Sequence, residues 1–329
     1  MPTATAALEV ENLTVDFKRR GTTPLRAVDD VTFTLHPGHT LALVGESGSG
    51  KSTVVRALSR LITPSEGRIS LAGAERTRPA AYRSAVQMVF QDPFASLNPA
   101  HTVAHHLRRP LLVSGAATRA DVDARTTSLL DSVNLTPTAD IARKRPHELS
   151  GGQRQRVAIA RALAPEPDVL LADEPVSMLD VSIRLEILGL LDRLKEERRL
   201  ALLYVTHDLA TARHFAADVM VMYRGQIVER GPSDEVILRP RHPYTQLLAS
   251  AAPGAAGSRE RAREARAARL AARGSRSAEL REPADARDEG CRFRARCPFA
   301  MERCAQRPPV VELDGTGHAS RCWLEAAPD

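Results

Sequence analysis

One nonapeptide constrains this chain more than any other stretch. Residues 45–53, Gly-Glu-Ser-Gly-Ser-Gly-Lys-Ser-Thr, follow the apolar run Leu41-Ala42-Leu43-Val44 and precede the helix-like Val54-Val55-Arg56-Ala57-Leu58. The order is strand, glycine loop, helix start, and Gly45, Gly50, Lys51 and Ser52 fill the phosphate-loop pattern. Glycines let the backbone wrap a phosphate, and the loop N–H groups with the positive end of the helix dipole stabilise the anion. Lys51 is expected to reach the β- and γ-phosphates, and Ser52 to offer its hydroxyl to Mg²⁺. A chance glycine turn would lack the flanking strand and helix, so the segment implies a nucleoside triphosphate site.

The chain has 329 residues, 43% of them hydrophobic, enough for a full core and by length about two domains. Its net charge of +6 admits nucleic acid or an anionic membrane surface as partners, but much of the arginine excess is concentrated around residues 259–281, away from the phosphate loop. No apolar run approaches the roughly 20 residues that cross a bilayer, and the N-terminus is not organised as a signal peptide. A cytosolic chain is expected, with any membrane role exercised through partners. Four cysteines, all after residue 290, read as metal ligands rather than disulfides in a reducing compartment.

Residues 8–17 alternate loosely, like an edge strand, and Val28 to Leu35 reads as a second strand ending at Pro37-Gly38. Residues 67–73 and 85–90 read as further strands, the latter running into Gln91-Asp92-Pro93. From Val103 to Arg145 the periodicity turns helical, with Val122, Leu129, Leu130 and Val133 at three- and four-residue spacing. Leu149-Ser150-Gly151-Gly152-Gln153 then opens a strong helix that Pro165 ends, a glycine-rich N-terminus suited to an anion. The buried strand Val169 to Ala172 ends in Asp173-Glu174. An isolated pair of this kind is more simply a helix cap; behind such a strand, with a phosphate loop upstream, Asp173 is expected to hold Mg²⁺ and Glu174 to orient the attacking water. A last apolar strand, Leu200 to Val205, leads to Thr206-His207-Asp208.

Together these motifs, in this order, resemble the nucleotide-binding subunits of ATP-binding-cassette transporters. Within that family the chain is similar to the ATPases of bacterial dipeptide, oligopeptide and nickel importers. The finer likeness rests on residues 90–99 (Phe-Gln-Asp-Pro-Phe-Ala-Ser-Leu-Asn-Pro), on Pro146-His147-Glu148, on Arg241-His242-Pro243-Tyr244-Thr245 and on the cysteine tail. The resemblance implies an α/β fold: a phosphate-loop, RecA-like ATPase core with an antiparallel β subdomain and a helical signature subdomain at about 93–165, all within residues 1–252. A linker at 253–288 and a Cys-rich C-terminal region at 289–329 would follow.

The resemblance also assigns roles. Gly45, Glu46, Ser47, Gly48, Ser49, Gly50, Lys51, Ser52 and Thr53 would bind the nucleotide, with Phe17 stacked on adenine where the family often has tyrosine. Ser52, Gln91 and Asp173 would attend Mg²⁺, and Gln91 would pass the γ-phosphate state to the membrane subunits. Glu174, His207, Lys51 and Gln91 form the expected catalytic set. Ser150, Gly151 and Gly152 would contact ATP held by the opposite subunit of a head-to-tail dimer, with Asp180 at that interface. The implied partners are a second ATPase subunit, identical or paralogous, two transmembrane permeases and an extracytoplasmic binding protein, placing the chain peripherally on the cytoplasmic face of the plasma membrane with no nucleic acid expected. Two departures stand out: Met178 replaces the usual alanine of the interface loop, and residues 253–288 are rich in Ala, Arg and Glu, reading as a solvated linker or marginal helix.

Cys291, Cys297, Cys304 and Cys322 are spaced C-x5-C-x6-C-x17-C, without the tight pairs of most zinc modules. By donor chemistry alone zinc and an iron–sulfur cluster stay open, beside free thiols; similar family tails look like [4Fe–4S] binders. Being far in sequence from the ATP motifs, the tail is expected to be structural. The rival to an importer ATPase is a soluble cassette ATPase acting on nucleic acid or ribosomes, but neither a second cassette nor a long coiled-coil insertion is visible.

Overall fold

The computed structural model describes residues 6–18, 21, 23–74, 78–251, 290–313 and 315–326. The stretch 253–288, expected as a linker, lies outside them. Strands β1 (Leu8–Phe17) and β2 (Leu25–Leu35) pair antiparallel and bury Leu8, Val10, Leu13 and Val15 against Val28, Val31 and Leu35. The apolar β3 (Thr40–Val44) leads into the phosphate loop and helix α1 (Lys51–Leu58), after which β4 (Glu66–Leu71) returns to the free side of β1. β1 is therefore the central strand of a three-stranded sheet, not an edge. Its uneven alternation comes from register breaks after Val10 and Leu13, where bulges shift the facing side chains.

Helix α2 (Pro79–Ala85), started by proline at its first position, precedes β5 (Val86–Val89). A helical section follows: α3 (Pro93–Ser96), α4 (Val103–Ser114), α5 (Val122–Ser132), α6 (Thr138–Arg143) and α7 (Gly151–Leu163). Thr102 caps α4 by accepting from the His105 N–H at 3.3 Å. Leu107 and Leu111 of α4 share one core with Leu129, Leu130 and Val133 from α5 and its end, the spacing that the sequence shows. The chain then alternates β6 (Val169–Asp173), α8 (Val181–Arg198), β7 (Ala201–Thr206), α9 (Leu209–Phe215) and β8 (Asp218–Tyr223). A hairpin adds β9 (Gln226–Pro232), followed by α10 (Ser233–Leu238) and α11 (Pro243–Ala251); the tail contributes β10 (Val311–Glu312) and β11 (Ala319–Ser320).

Among the described residues the second sheet runs β10-β11-β9-β8-β3-β7-β6-β5, parallel from β8 to β5 and antiparallel on the other side. Its two faces are separately apolar. Leu43, Leu171, Leu203 and Val205 face the three-stranded sheet and α1, while Val44, Leu170, Leu202 and Tyr204 face the helical section. Strands buried on both sides read as continuous apolar runs, which explains the sequence pattern at 169–172 and 200–205. The loops leaving β3, β5, β6 and β7 emerge at the carboxyl ends of these parallel strands, where open α/β sheets place ligands. Among the described residues no helix is long and apolar enough to cross a membrane.

Candidate active site

Two glycines of the phosphate loop are dictated by contact. A Cβ at Gly45 would stand 2.2 Å from the Met222 carbonyl oxygen, and one at Gly50, whose φ is +109°, would stand 2.4 Å from the Ala27 carbonyl oxygen. The loop is thus pressed on backbone from β8 and β2. Gly225, in the turn after β8, donates its N–H to the Ser49 carbonyl at 2.7 Å. Ser49 itself is buried and its hydroxyl has no partner among the described residues, as expected of a loop shaped to enclose oxygen-rich groups.

Lys51, 5% exposed, folds over the loop and donates to the carbonyls of Gly45 at 2.7 Å and Glu46 at 2.9 Å. Burial lowers its pKa, and the charges of Glu174, Asp173 and Glu46 oppose that shift. Ser52 donates to Asp173 Oδ1 at 3.4 Å. Burial pushes the Asp173 carboxyl up, against the Ser52 hydrogen bond and with the repulsion of Glu174. Ser52 and Asp173 thus meet across the end of β6 as hard oxygen donors, with the Gln91 amide nearby through Glu174, a set that suits Mg²⁺.

Glu174 has φ +46° and ties its N–H to Val205 O at 3.0 Å, so the chain turns sharply at the strand end. Its Oε2 is shared: the Gln91 amide donates at 3.2 Å and His207 Nδ1 lies at 3.2 Å. Side chains from the ends of β5, β6 and β7 therefore converge on one carboxylate. Three segments that the sequence marks separately meet within hydrogen-bond reach.

The remaining expected residues sit elsewhere. Ser150 opens α7 with a capping box: its hydroxyl accepts from Gln153 N–H at 3.2 Å while Gln153 Oε1 accepts from Ser150 N–H at 3.1 Å. Its side chain is exposed and engages Gln153 alone among the described residues. A Cβ at Gly152 would stand 2.9 Å from Ile183, so this helix start is packed on α8. The buried Arg154, which sequence reading passes over, braces the approach by donating to the carbonyls of Pro146 and Leu149, each at 2.8 Å. Asp180 lies exposed at the start of α8, behind Met178, which is 60% exposed. Phe17 is 40% exposed at the end of β1. Ser47 and Gly48 are exposed, and Thr53 lies half-buried in α1.

Comparison with known proteins places the chain in a family. Residues 28–177 match the ABC transporter family, and residues 228–304 match the oligopeptide/dipeptide transporter C-terminal region. A probable peptide ABC transporter ATP-binding protein of Sinorhizobium fredii is 40% identical over 98% of this chain and 90% of its own length. The chain belongs to the ATP-binding-cassette transporter ATPases. The oligopeptide transport ATP-binding protein of Salmonella typhimurium is 42% identical over 91% of this chain and 87% of its own length. The di/tripeptide transport ATP-binding protein of Pseudomonas aeruginosa is 40% identical over 89% and 88%. Among solved structures, the dimeric structure of a bacterial ABC transporter cassette matches with TM-score 0.61 and 30% identity over 69% of this chain and 98% of that one. A cassette subunit from Clostridium perfringens matches with TM-score 0.62 and 28% identity over 71% and 91%. As a cassette ATPase, the chain binds and hydrolyses ATP.

In this cassette the cysteine segment, remote in sequence from the ATP motifs, is their neighbour in space. Arg296 makes a two-pronged ion pair with Glu46 of the phosphate loop, at 2.9 and 3.0 Å, and Tyr244 Oη accepts from the Glu46 N–H at 2.9 Å. These partners lie 250 and 198 residues along the chain from Glu46. Arg292, almost fully buried, pairs with the equally buried Asp29 of β2 at 2.7 Å. A second buried anchor is Glu229, which accepts from the Arg241 and His242 N–H groups at 2.8 and 2.9 Å and lies 2.8 Å from His318 Nε2. The C-terminal region is also tied to the ATPase sheet by its backbone, because β11 pairs antiparallel with β9.

All four cysteines are free and line one small pocket, walled also by His242 and Phe293. Burial pushes the thiols of Cys297 and Cys322 up to about 11, and that of Cys291 up as well. Among the described residues no three or more His, Cys, Asp or Glu side chains stand ready to hold one metal ion.

Proposed function

We propose that this chain is the ATP-hydrolysing subunit of a peptide importer, and that hydrolysis runs at the carboxylate on which Gln91, Glu174 and His207 converge. That convergence, beside Lys51 and the Ser52–Asp173 pair, is the observation that carries the reading. Lys51 releases its hold on the Gly45 and Glu46 carbonyls to bind β- and γ-phosphate oxygens. Glu174 turns from Gln91 and His207 toward the attacking water, which it aligns, and His207 is then free to bridge to the γ-phosphate. Ser52, Asp173 and Gln91 would hold Mg²⁺, which supplies charge neutralisation of the phosphate oxygens. The protein's contribution is positioning and electrostatic stabilisation, in keeping with phosphoryl transfer generally.

Peptide as cargo is supported by the C-terminal family match and by relatives named for peptide, dipeptide or oligopeptide transport; nickel remains the alternative cargo of this architecture. The partners in this reading are a second ATPase subunit, two permeases and an extracytoplasmic binding protein, with the chain held on the cytoplasmic face of the membrane. The rival role on nucleic acid draws its support from the basic stretch 253–288, outside the described residues, and no relative named above carries such a description. In the tail, Cys291, Cys297, Cys304 and Cys322 would hold a [4Fe–4S] cluster. Zinc is the alternative occupant of the same four side chains, which line one pocket, and either group takes the cysteines as thiolates.

The test is Glu174→Gln. Equilibrium ATP binding should survive while phosphate release falls about a hundredfold or more, and a closed dimer should accumulate with ATP. Turnover within a few-fold of the unmodified protein would remove Glu174 from this role.

A further inference from the structure

Glu46 is held from three directions. Its side chain is clamped by Arg296, its N–H donates to Tyr244 Oη, and its carbonyl accepts from Lys51 at 2.9 Å. Two of these three partners belong to the C-terminal part of the chain. An exposed ion pair by itself stabilises little, and both side chains here are 41% exposed. This pair differs in being two-pronged and in being held from behind: Arg296 Nη1 reaches Tyr223 Oη at 3.5 Å, and its guanidinium carbon lies 5.7 Å from the ring centres of both Tyr223 and Phe293. Tyr223, Tyr244 and Phe293 pack on one another with centres 4.5 to 5.6 Å apart.

A carboxylate in the second position of a phosphate loop is an electrostatic liability, because the ligand to be bound is itself a polyanion. Arg296 cancels that charge where it matters. We propose that Arg296 and Tyr244 are positioning residues for nucleotide binding, fixing and neutralising Glu46, and that the four-cysteine pocket is linked to ATP affinity through them. The linkage is short. Arg296 is bonded in sequence to Cys297, Phe293 walls the cysteine pocket, and His242, another wall, accepts the Tyr244 N–H at its Nδ1 at 3.0 Å. A rearrangement of the pocket that moves Phe293 or Cys297 moves the clamp, and by reciprocity nucleotide binding favours the clamped pocket. The inference rests on residues 45–53 being the nucleotide loop.

The experiment is equilibrium binding of a fluorescent ATP analogue to the full chain at low salt, with steady-state hydrolysis alongside. Arg296→Ala should weaken binding about tenfold when Glu46 is present, and less than twofold in the Glu46→Gln background. KM should rise with kcat within about twofold, and Arg296→Lys should fall between. A merely structural arginine would give the same loss in both backgrounds, and that result, or no loss in either, overturns the proposal. Tyr244→Phe removes only the hydroxyl, so it keeps the test open if the arginine variant folds poorly; it should weaken binding about threefold, and an unchanged affinity overturns the Tyr244 role. Cys297→Ser should lower ATP affinity when Arg296 is present and not in the Arg296→Ala background; equal effects in both overturn the linkage. Lys51→Ala separates this from the underlying reading: if it binds the analogue as well as the unmodified chain, the loop assignment fails, whereas loss of binding there with no effect of Arg296→Ala defeats only the clamp.

Discussion

At the scale of single residues, the phosphate loop is set by what cannot be added to it. The Cβ of an alanine at Gly45 would meet the Met222 carbonyl at 2.2 Å and Ser49 Oγ at 2.8 Å. A backbone carbonyl in a central strand cannot step aside, so Gly45→Ala should cost roughly 1–3 kcal/mol in overpacking and should displace the loop from its phosphate-binding shape. Thermal unfolding with fluorescent-ATP binding checks this; unaltered melting and affinity would contradict it. Met178 makes the opposite case. Being 60% exposed, it should be replaceable by alanine with a change in stability of the isolated chain within about 0.5 kcal/mol.

Among the elements, the tail's attachment to β2 is decided by charge. Asp29 accepts from Gln226 Nε2 at 2.6 Å and Arg292 at 2.7 Å, with Arg26 at 3.5 Å and Arg307 at 3.8 Å; Asp30 receives Arg307 at 3.0 Å and Arg321 at 3.5 Å. Burial alone would raise the Asp29 carboxyl, but the Gln226 hydrogen bond and the charges of Arg292, Arg307 and Arg26 outweigh it and hold the group below its usual 3.8. A carboxyl depressed in the folded state contributes stability that is full above its ordinary value and fades as the pH falls through the folded one. Docking of the tail should therefore be constant at neutral pH and weaken below about pH 4. Asp29→Asn leaves buried Arg292 without its counter-charge and should cost about 3 kcal/mol at neutral pH. The chain's one tryptophan, Trp323, lies in the tail and donates to the Gln306 carbonyl at 3.1 Å, so its fluorescence against pH and denaturant reads both effects. A pH-independent signal, or a variant that unfolds with the unmodified protein, would refute the role given to Asp29.

For the whole molecule, the decisive matter is what a single chain leaves incomplete. Ser150 caps its own helix and its side chain engages Gln153 alone among the described residues, although a glycine-rich helix start is an anion site. If that site serves a partner's ATP, hydrolysis should rise cooperatively with protein concentration. Ser150→Ala should then cut turnover about tenfold or more while nucleotide binding changes less than twofold. Full activity from a demonstrably monomeric chain would exclude the composite site. The cysteine pocket is tested on the same intact chain: anaerobic purification should yield iron and sulfide near four each per chain, as a [4Fe–4S] cluster requires. Stoichiometric zinc without sulfide would replace the cluster, and absence of metal would leave free thiols. Because β11 joins the ATPase sheet, cysteine-to-serine variants should weaken ATP binding as well as the tail.

The local setting of each motif was written in the sequence, because each glycine-rich or acidic motif is a short run whose neighbours declare its strand or helix context. Gly45 to Thr53 sits between a strand and a helix, Asp173-Glu174 ends a doubly buried strand, and Ser150 precedes a glycine pair. Periodicity likewise exposed the parallel strands and the helical section, since burial on one or both faces leaves a direct trace in residue order. The tertiary structure alone brought Gln91 and His207 to one oxygen of Glu174, made Leu8–Phe17 a central strand, and seated Arg296 and Tyr244 on Glu46. Such contacts join residues up to 250 positions apart through polar side chains. An arginine facing a distant carboxylate has no period and no flanking pattern, so it becomes legible only when the sheet has folded and the tail has added its strand.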